Sequence, residues 1–568
     1  MKRLSFILIL LIWIRSNAQE YPAIPLAIED PQLDGFLQKH QPPELTIKIK
    51  EAPGYIPKKK IKCTFVGYGS AFQTEKFYQT DSEGFIKIIL EQNLPFQQIW
   101  LHIDHFLNAG IYVGNDLTIS IDPGKIKDTD GVEYSGTDGK LNKVLNKLIL
   151  YKRDYRQKLM TDLQNLGSPD SLKVYDLPLV HAKMDSIYQR IMSLDDEFIS
   201  LYPDYQWAIR NESAAAFYSN LCLSYLGDKM PDSLEKKLKG FSPYFTSNNG
   251  VLFYRYFLMY LIYKKDSPNL SIDAGLFKNY ATYDHEKQLL LDSIKYYGQL
   301  ADADRKAKND QIIALEKKKR RLFNVEIAKL TINHYINLID SLCPQPKSDI
   351  LKTCLLENGK DVFAETCPVI SRSMQLNWCK NIADRELNEV TQRQIEIDRI
   401  LAKKTELKDA KGYIGRPLES LPFYANLYSL DSVNQIDDYI ADLKSKFPNK
   451  ALVIDFWATW CAPCLDDLPI SRQLHESNQD LPIAYVYICT NSNSNLNLWR
   501  KKIVELQLPG THIFADEKFV AELKSRFNSP GSGFPTYIVI DSGGKLKPEA
   551  IQRMFGLDRD RLKTAVGL

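Results

Sequence analysis

Two cysteines separated by two residues, Cys461 and Cys464, are the part of this chain best equipped for chemistry. They end the stretch Phe456-Trp457-Ala458-Thr459-Trp460-Cys461-Ala462-Pro463-Cys464. The apolar run Ala451 to Ile454 before it reads as a buried strand ending at Asp455. Leu465-Asp466-Asp467-Leu468 after it starts a helical pattern. Two such cysteines at a strand-to-helix junction can close a small disulfide ring. The partial positive charge of a helix N-terminus lowers the pKa of the first thiol, which supplies a nucleophilic thiolate near neutral pH. Such a pair can exchange disulfides. Two other uses of the spacing stand beside this one, a zinc site and a purely structural disulfide. Zinc needs about four ligands, and the chain offers no second CxxC and no matching His pair. Leu465, not His, follows the second cysteine, so the covalent haem signature is absent. No nucleotide or metal motif appears elsewhere, and no cofactor is expected.

These residues resemble the thioredoxin superfamily, and within it the TlpA/ResA-like extracytoplasmic thiol-disulfide oxidoreductases. The match consists of Asp455 to Cys464, then Pro469, then Gly533-Phe534-Pro535-Thr536 before the strand Tyr537 to Ile540. It covers roughly residues 413–568. The family often carries Glu three residues after the second cysteine, where this chain has Asp467. The resemblance implies that Cys461 attacks as an exposed thiolate and that Cys464, buried, resolves the mixed disulfide. Asp455 matches the family's buried acid, whose raised pKa lets it take a proton from Cys464; a strand-end Asp capping the next segment is the plainer alternative. Pro535 matches the family's cis-proline, next to a backbone edge on which an extended substrate adds as a strand. Trp460 and Phe534 would form an apolar, substrate-binding rim. Pro469, deeper in the helix, should kink it.

The remaining elements must position this pair. At 568 residues the chain exceeds one domain, and its length suggests about three or four. Apolar residues make up 44% and charged residues 25%, as in ordinary globular proteins. With 73 basic against 70 acidic residues the net charge is only +3, too balanced a field for nucleic-acid binding. Lys2 and Arg3, the apolar core Phe6 to Ile14 and the small residues Ser16-Asn17-Ala18 read as an export signal over 1–18. That core is too short for a transmembrane span of about 20 residues. The mature chain is therefore expected to be soluble and periplasmic, or otherwise extracytoplasmic.

Residues 20–43 read as an irregular lead-in. From Leu45, short runs (Leu45–Ile49, Lys60–Phe65, Phe85–Leu90, Ile99–Ile103, Ile111–Val113, Leu117–Ile121) predict a small antiparallel sandwich over 19–136. His102 and His105 fall on opposite faces of such a strand and read as surface or satisfied histidines. Residues 137–411 read as mostly helical, with a buried helix over Phe253–Tyr263 and one or two long helices between Asp292 and Asp340. The basic run Lys317 to Arg321 reads as a solvated helix face. Cys343, Cys354, Cys367 and Cys379 admit two readings, a pair of disulfides or buried thiols. From Gly412 onwards strand and helix alternate, predicting a thioredoxin-like α/β domain over 412–568, with strands at Ile483–Cys489, Tyr537–Ile540 and Ile551–Phe555.

The expected architecture is therefore multidomain: β-rich, then helical, then thioredoxin-like α/β. The expected function is reduction of disulfide-containing protein substrates by Cys461 and Cys464, fed by a membrane thiol electron donor. An oxidase or isomerase is the alternative within enzymes. A binding protein, whose N-terminal regions recognise a partner, is the alternative from another class.

Overall fold

The computed structural model describes residues 25–26, 30, 32–54, 58–67, 69, 73–103, 107–126, 131–153, 155, 158, 177–244, 246–357, 362–407, 414–431, 435–527, 533–547 and 550–568. The export signal expected over 1–18, His105 and Gly412 lie outside these residues. Two compact units are present, 1–388 and 389–568.

The first unit begins with a helix, Leu33–Lys39, where an irregular lead-in was expected. Tertiary contacts hold it: Leu33 is buried, the Phe36 ring stacks on His40 and Asp34 accepts the Trp378 N–H. A sandwich of two four-stranded sheets follows, ordered β4-β1-β7-β8 and β3-β2-β5-β6. Its strands are β1 (Glu44–Ile49), β2 (Lys60–Val66), β3 (Gln73–Gln79), β4 (Phe85–Ile89), β5 (Gln97–Ile103), β6 (Leu107–Val113), β7 (Asp116–Ile121) and β8 (Val132–Ser135). Alternate residues such as Leu45, Ile47, Ile61, Cys63, Ile99, Leu101, Leu117 and Ile119 fill the space between the sheets. Two details depart from the sequence reading. β1 and β7 run parallel, and β3 and β8 were not foreseen. Both are edge strands with no fully buried position, so the alternation that marks a strand is faint in them. His102 is exposed on β5.

Among the described residues, helices dominate from Gly139 to Ala402. Asn248–Tyr263 is the buried helix expected there, with Phe253, Tyr254, Phe257 and Tyr260 fully enclosed. Between 285 and 342 four helices replace the one or two expected, His285–Gly298, Asp302–Ala307, Asn309–Leu322 and Asn324–Leu342. The last break falls at Phe323, whose side chain leaves the helical path to pack with Leu276, Leu290 and Leu291. In the basic run Lys317, Arg320 and Arg321 are exposed, but Lys319 is buried and paired with Asp273 and Glu316. Cys343, Cys354, Cys367 and Cys379 are free thiols. Burial pushes Cys343 up to about 11 and both Cys354 and Cys367 up to about 12, so these sulfurs are poor nucleophiles.

The second unit is built on a seven-stranded sheet, ordered β15-β14-β11-β12-β13-β10-β9. Its strands are β9 (Arg416–Leu421), β10 (Ala425–Leu430), β11 (Ala451–Trp457), β12 (Ile483–Thr490), β13 (Gly510–Ala515), β14 (Thr536–Ile540) and β15 (Leu546–Lys547). β10, β13, β12 and β11 are mutually parallel, and β9, β14 and β15 antiparallel to their neighbours. Every residue of β11 and β12 is buried, as central strands covered on both faces require. On one face Leu452, Ile454 and Phe456 meet α1 (Ile436–Lys446) and α4 (Glu517–Arg526). On the other, Val453 and Trp457 meet α2 (Ala462–Ser477), α3 (Leu496–Leu506) and α5 (Arg559–Val566). The order β-rich, helical, thioredoxin-like α/β is the one expected. Ile551–Phe555 is a loop and not a strand: Ile551 and Met554 are buried singly, and the Met554 N–H is directed at a side chain, not at a strand partner.

Candidate functional site

Strand β11 runs apolar up to Asp455, and the chain then turns through Ala458-Thr459-Trp460 into α2. Cys461 is the N-cap of that helix, with extended backbone. Its Sγ accepts the Cys464 N–H at 3.2 Å, and its carbonyl accepts Leu465 N–H at 3.1 Å. Pro463 sits in the first turn, where a missing N–H costs nothing. Cys461 and Cys464 are joined by a disulfide, Cα atoms 5.3 Å apart. With the disulfide closed, Cys461 is only 4% exposed against 1% for Cys464. The exposed first sulfur expected from the resemblance is thus covered in this state, because its Sγ is turned inward to its partner. The helix start still favours negative charge at Cys461 over Cys464, which lies one turn further in. Pro469 lies inside α2, which continues on either side of it.

Two hydrogen bonds fix the turn before the cysteines. Trp460 Nε1 donates to Ser492 O at 2.7 Å, and Thr459 Oγ1 meets Ser494 Oγ at 2.8 Å. Trp460 remains 53% exposed, and its ring stands edge-on to Phe534 at 6.0 Å. The Phe534–Pro535 peptide bond is cis. Lys524, buried on α4, donates to Gly533 O at 3.1 Å and sits 4.6 Å from the centre of the Phe534 ring. It anchors the segment leading to Pro535, and nothing in its sequence context marked it out.

Strand register sets the layer beneath α2. Asp455 pairs with Tyr537 on β14 and with Tyr487 on β12, and Tyr487 pairs with His512 on β13. A row of four polar side chains therefore crosses the sheet inside its core. Asp455 is 1% exposed and neither carboxyl oxygen has a hydrogen-bond partner among the described residues. Burial, and next the charge of Asp467, hold its pKa well above the usual carboxylate range. Asp467, one turn beyond Cys464, accepts from Tyr537 OH at 2.9 Å, Arg553 Nε at 2.7 Å and Nη2 at 3.1 Å. Its spacing from Cys464 already placed it on the same helix face. Arg553 carried no such signal, being far off in sequence within a stretch read as a strand.

His512 stacks on Tyr487 at 4.8 Å and meets Leu508 O through Nε2 at 2.9 Å. Burial pushes its pKa down from 6.5 to about 3. A depressed histidine favours the neutral form in the fold, so its stabilising contribution is complete above about pH 6.5 and is lost as pH falls towards 3. Between pH 7 and 5 the wild type is expected to lose about 2 kcal/mol more than His512→Gln. Hydrogen exchange of the β12 and β13 amides at the two pH values measures this, and equal losses in both proteins would disprove it.

Residues 439–563 match the family model described as Redoxin. A thioredoxin of Mycobacterium bovis is 38% identical over 50 residues, 9% of this chain and 43% of that protein. A thioredoxin of Mycobacterium tuberculosis matches to the same extent. The chain thus spans less than half the length of these curated relatives. Among solved structures, the thioredoxin domain of a thiol-disulfide oxidoreductase from Bacteroides vulgatus is 21% identical, covering 22% of this chain and 80% of that one, with a TM-score of 0.18. A thioredoxin-family thiol:disulfide interchange protein from Chlorobium tepidum is 21% identical, covering 28% and 100%, with a TM-score of 0.20.

Proposed function

We propose that this chain is an extracytoplasmic thiol-disulfide oxidoreductase of the TlpA/ResA-like kind, which reduces protein disulfides through Cys461 and Cys464. One observation carries the reading: a disulfide closed between the N-cap of a helix and the residue one turn in. The match of 439–563 to Redoxin supports the same chemistry. Cys461 attacks a substrate disulfide, Cys464 resolves the mixed disulfide, and Asp455 takes the proton that Cys464 gives up. Trp460, Phe534 and the backbone beside Pro535 receive the substrate segment. The export pattern in residues 1–18 supports a location outside the cytoplasm, where a membrane thiol carrier would return electrons. The division into 19–136, 137–411 and 412–568 belongs to this proposal.

The reductive direction follows from what stands between the cysteines. Ala462 and Pro463 add no cation beside the Cys461 thiolate, whereas a histidine there would over-stabilise the reduced form, as in oxidants near −120 mV. The pair should equilibrate with glutathione or dithiothreitol buffers at roughly −230 to −270 mV. It should also reduce insulin, and Cys461→Ser should not. A potential above about −150 mV would make the protein an oxidase instead.

A further inference from the structure

Two buried acids lie under α2, and their surroundings differ. Among the described residues, every hydrogen-bond partner of Asp467 is a donor: Arg553 Nε at 2.7 Å and Nη2 at 3.1 Å, Tyr537 OH at 2.9 Å and the Met554 N–H at 3.3 Å. That is the environment of an acceptor-only carboxylate. Asp455 receives no donor among the described residues. The groups around it are Asp467 from α2, Tyr487 and Cys489 from β12 and Tyr537 from β14. The cation of the cluster, Arg553, is directed at Asp467, and its Nη2 also reaches Pro463 O, between the cysteines, at 3.5 Å.

We propose that Arg553 is a positioning residue that divides the labour of the two acids: it holds Asp467 as a charged carboxylate turned to the 551–556 loop, leaving the proton of disulfide exchange to Asp455 alone. This rests on the thiol-disulfide reading above. In the step concerned, Cys464 Sγ bonds to Cys461 Sγ as the bond from Cys461 to the substrate sulfur breaks. The substrate leaves with that electron pair as a thiolate, and the proton of Cys464 passes to an oxygen of Asp455. The charge left on Asp467 and the lack of donors at Asp455 favour the protonated product. Without Arg553, the two carboxyl groups would compete for one proton and titrate as a coupled pair.

The test is a pH titration of the Asp455 side-chain carboxyl carbon by NMR, on the full oxidised chain. Wild type should titrate in a single step above the ordinary carboxylate range. Arg553→Met should split the curve into two steps, and Arg553→Lys, which restores the cation, should return it to one. Asp467→Asn should lower the Asp455 midpoint by at least about one pH unit. Arg553 is half-exposed, so its loss leaves the core packing in place. A curve for Arg553→Met that superimposes on wild type would overturn the assignment. Insulin reduction by the wild type is read separately: its absence refutes the thiol-disulfide reading, whereas a one-step Arg553→Met curve in an active protein refutes only the role of Arg553.

Discussion

Cys464→Ser is expected to remain covalently joined to its substrate through Cys461, with turnover lowered by more than about a thousandfold. The first attack needs only Cys461, placed at the helix N-cap where a thiolate is favoured. Release needs a second thiol one turn in, and serine cannot displace the substrate sulfur. Both sulfurs are buried when bonded to each other, so reduction must first free Cys461. On the proposed reading, the asymmetry between the two thiols comes from their positions along α2, not from a standing difference in exposure. Intact-mass analysis after mixing with a disulfide-bonded peptide should find one adduct per chain, mapping to Cys461. Cys461→Ser should form none under the same conditions. An adduct on Cys464 at a comparable rate would exchange the two roles.

Asp455→Asn should slow resolution of the mixed disulfide by about a hundredfold or more while the first attack stays nearly unchanged. The same substitution should stabilise the second unit at neutral pH. The sign follows from the direction of the shift: burial raises the folded pKa of Asp455, so the fold favours the protonated form. Its stability is fullest below the ordinary carboxylate value and declines as pH rises from there towards the folded pKa. Asparagine has nearly the shape of the protonated acid and does not ionise, so this decline disappears. A faster-folding or merely better-packed variant would not lose one chemical step selectively. Rapid-mixing kinetics resolve the two steps, and thermal unfolding at pH 5 and pH 8 measures the stability. Equal slowing of both steps, with lower stability, would show that Asp455 acts through the fold alone.

The reach of the sequence can be traced residue by residue. The strand, turn, cysteine pair and helix from Ala451 to Leu468 were legible because each is decided by neighbours. Continuous apolar character marks a strand covered on both faces, and the turn and helix begin within the next few residues. The buried helix Asn248–Tyr263 was legible for the same reason. Where structure is imposed from a distance, the reading fell short. Leu33–Lys39 is helical because of what it packs against, and the last two helices between 285 and 342 are divided where Phe323 turns into the core. The four free cysteines from 343 to 379 left two readings open until their helices and burial were known.

By itself, the sequence determined where the candidate pair lies: two thiols, three positions apart, fall at a strand end and a helix start that neighbouring residues decide. What only the tertiary structure decided is the polar layer beneath them. Tyr537, Asp455, Tyr487 and His512 form one row because four strands from separate segments align in a particular register. A slip of one residue would turn Asp455 to the opposite face of the sheet. Arg553 reaches Asp467 across 86 positions from a loop whose own pattern suggested a strand. No local propensity encodes that contact, because side-chain charge acts through space and the fold alone sets the distance.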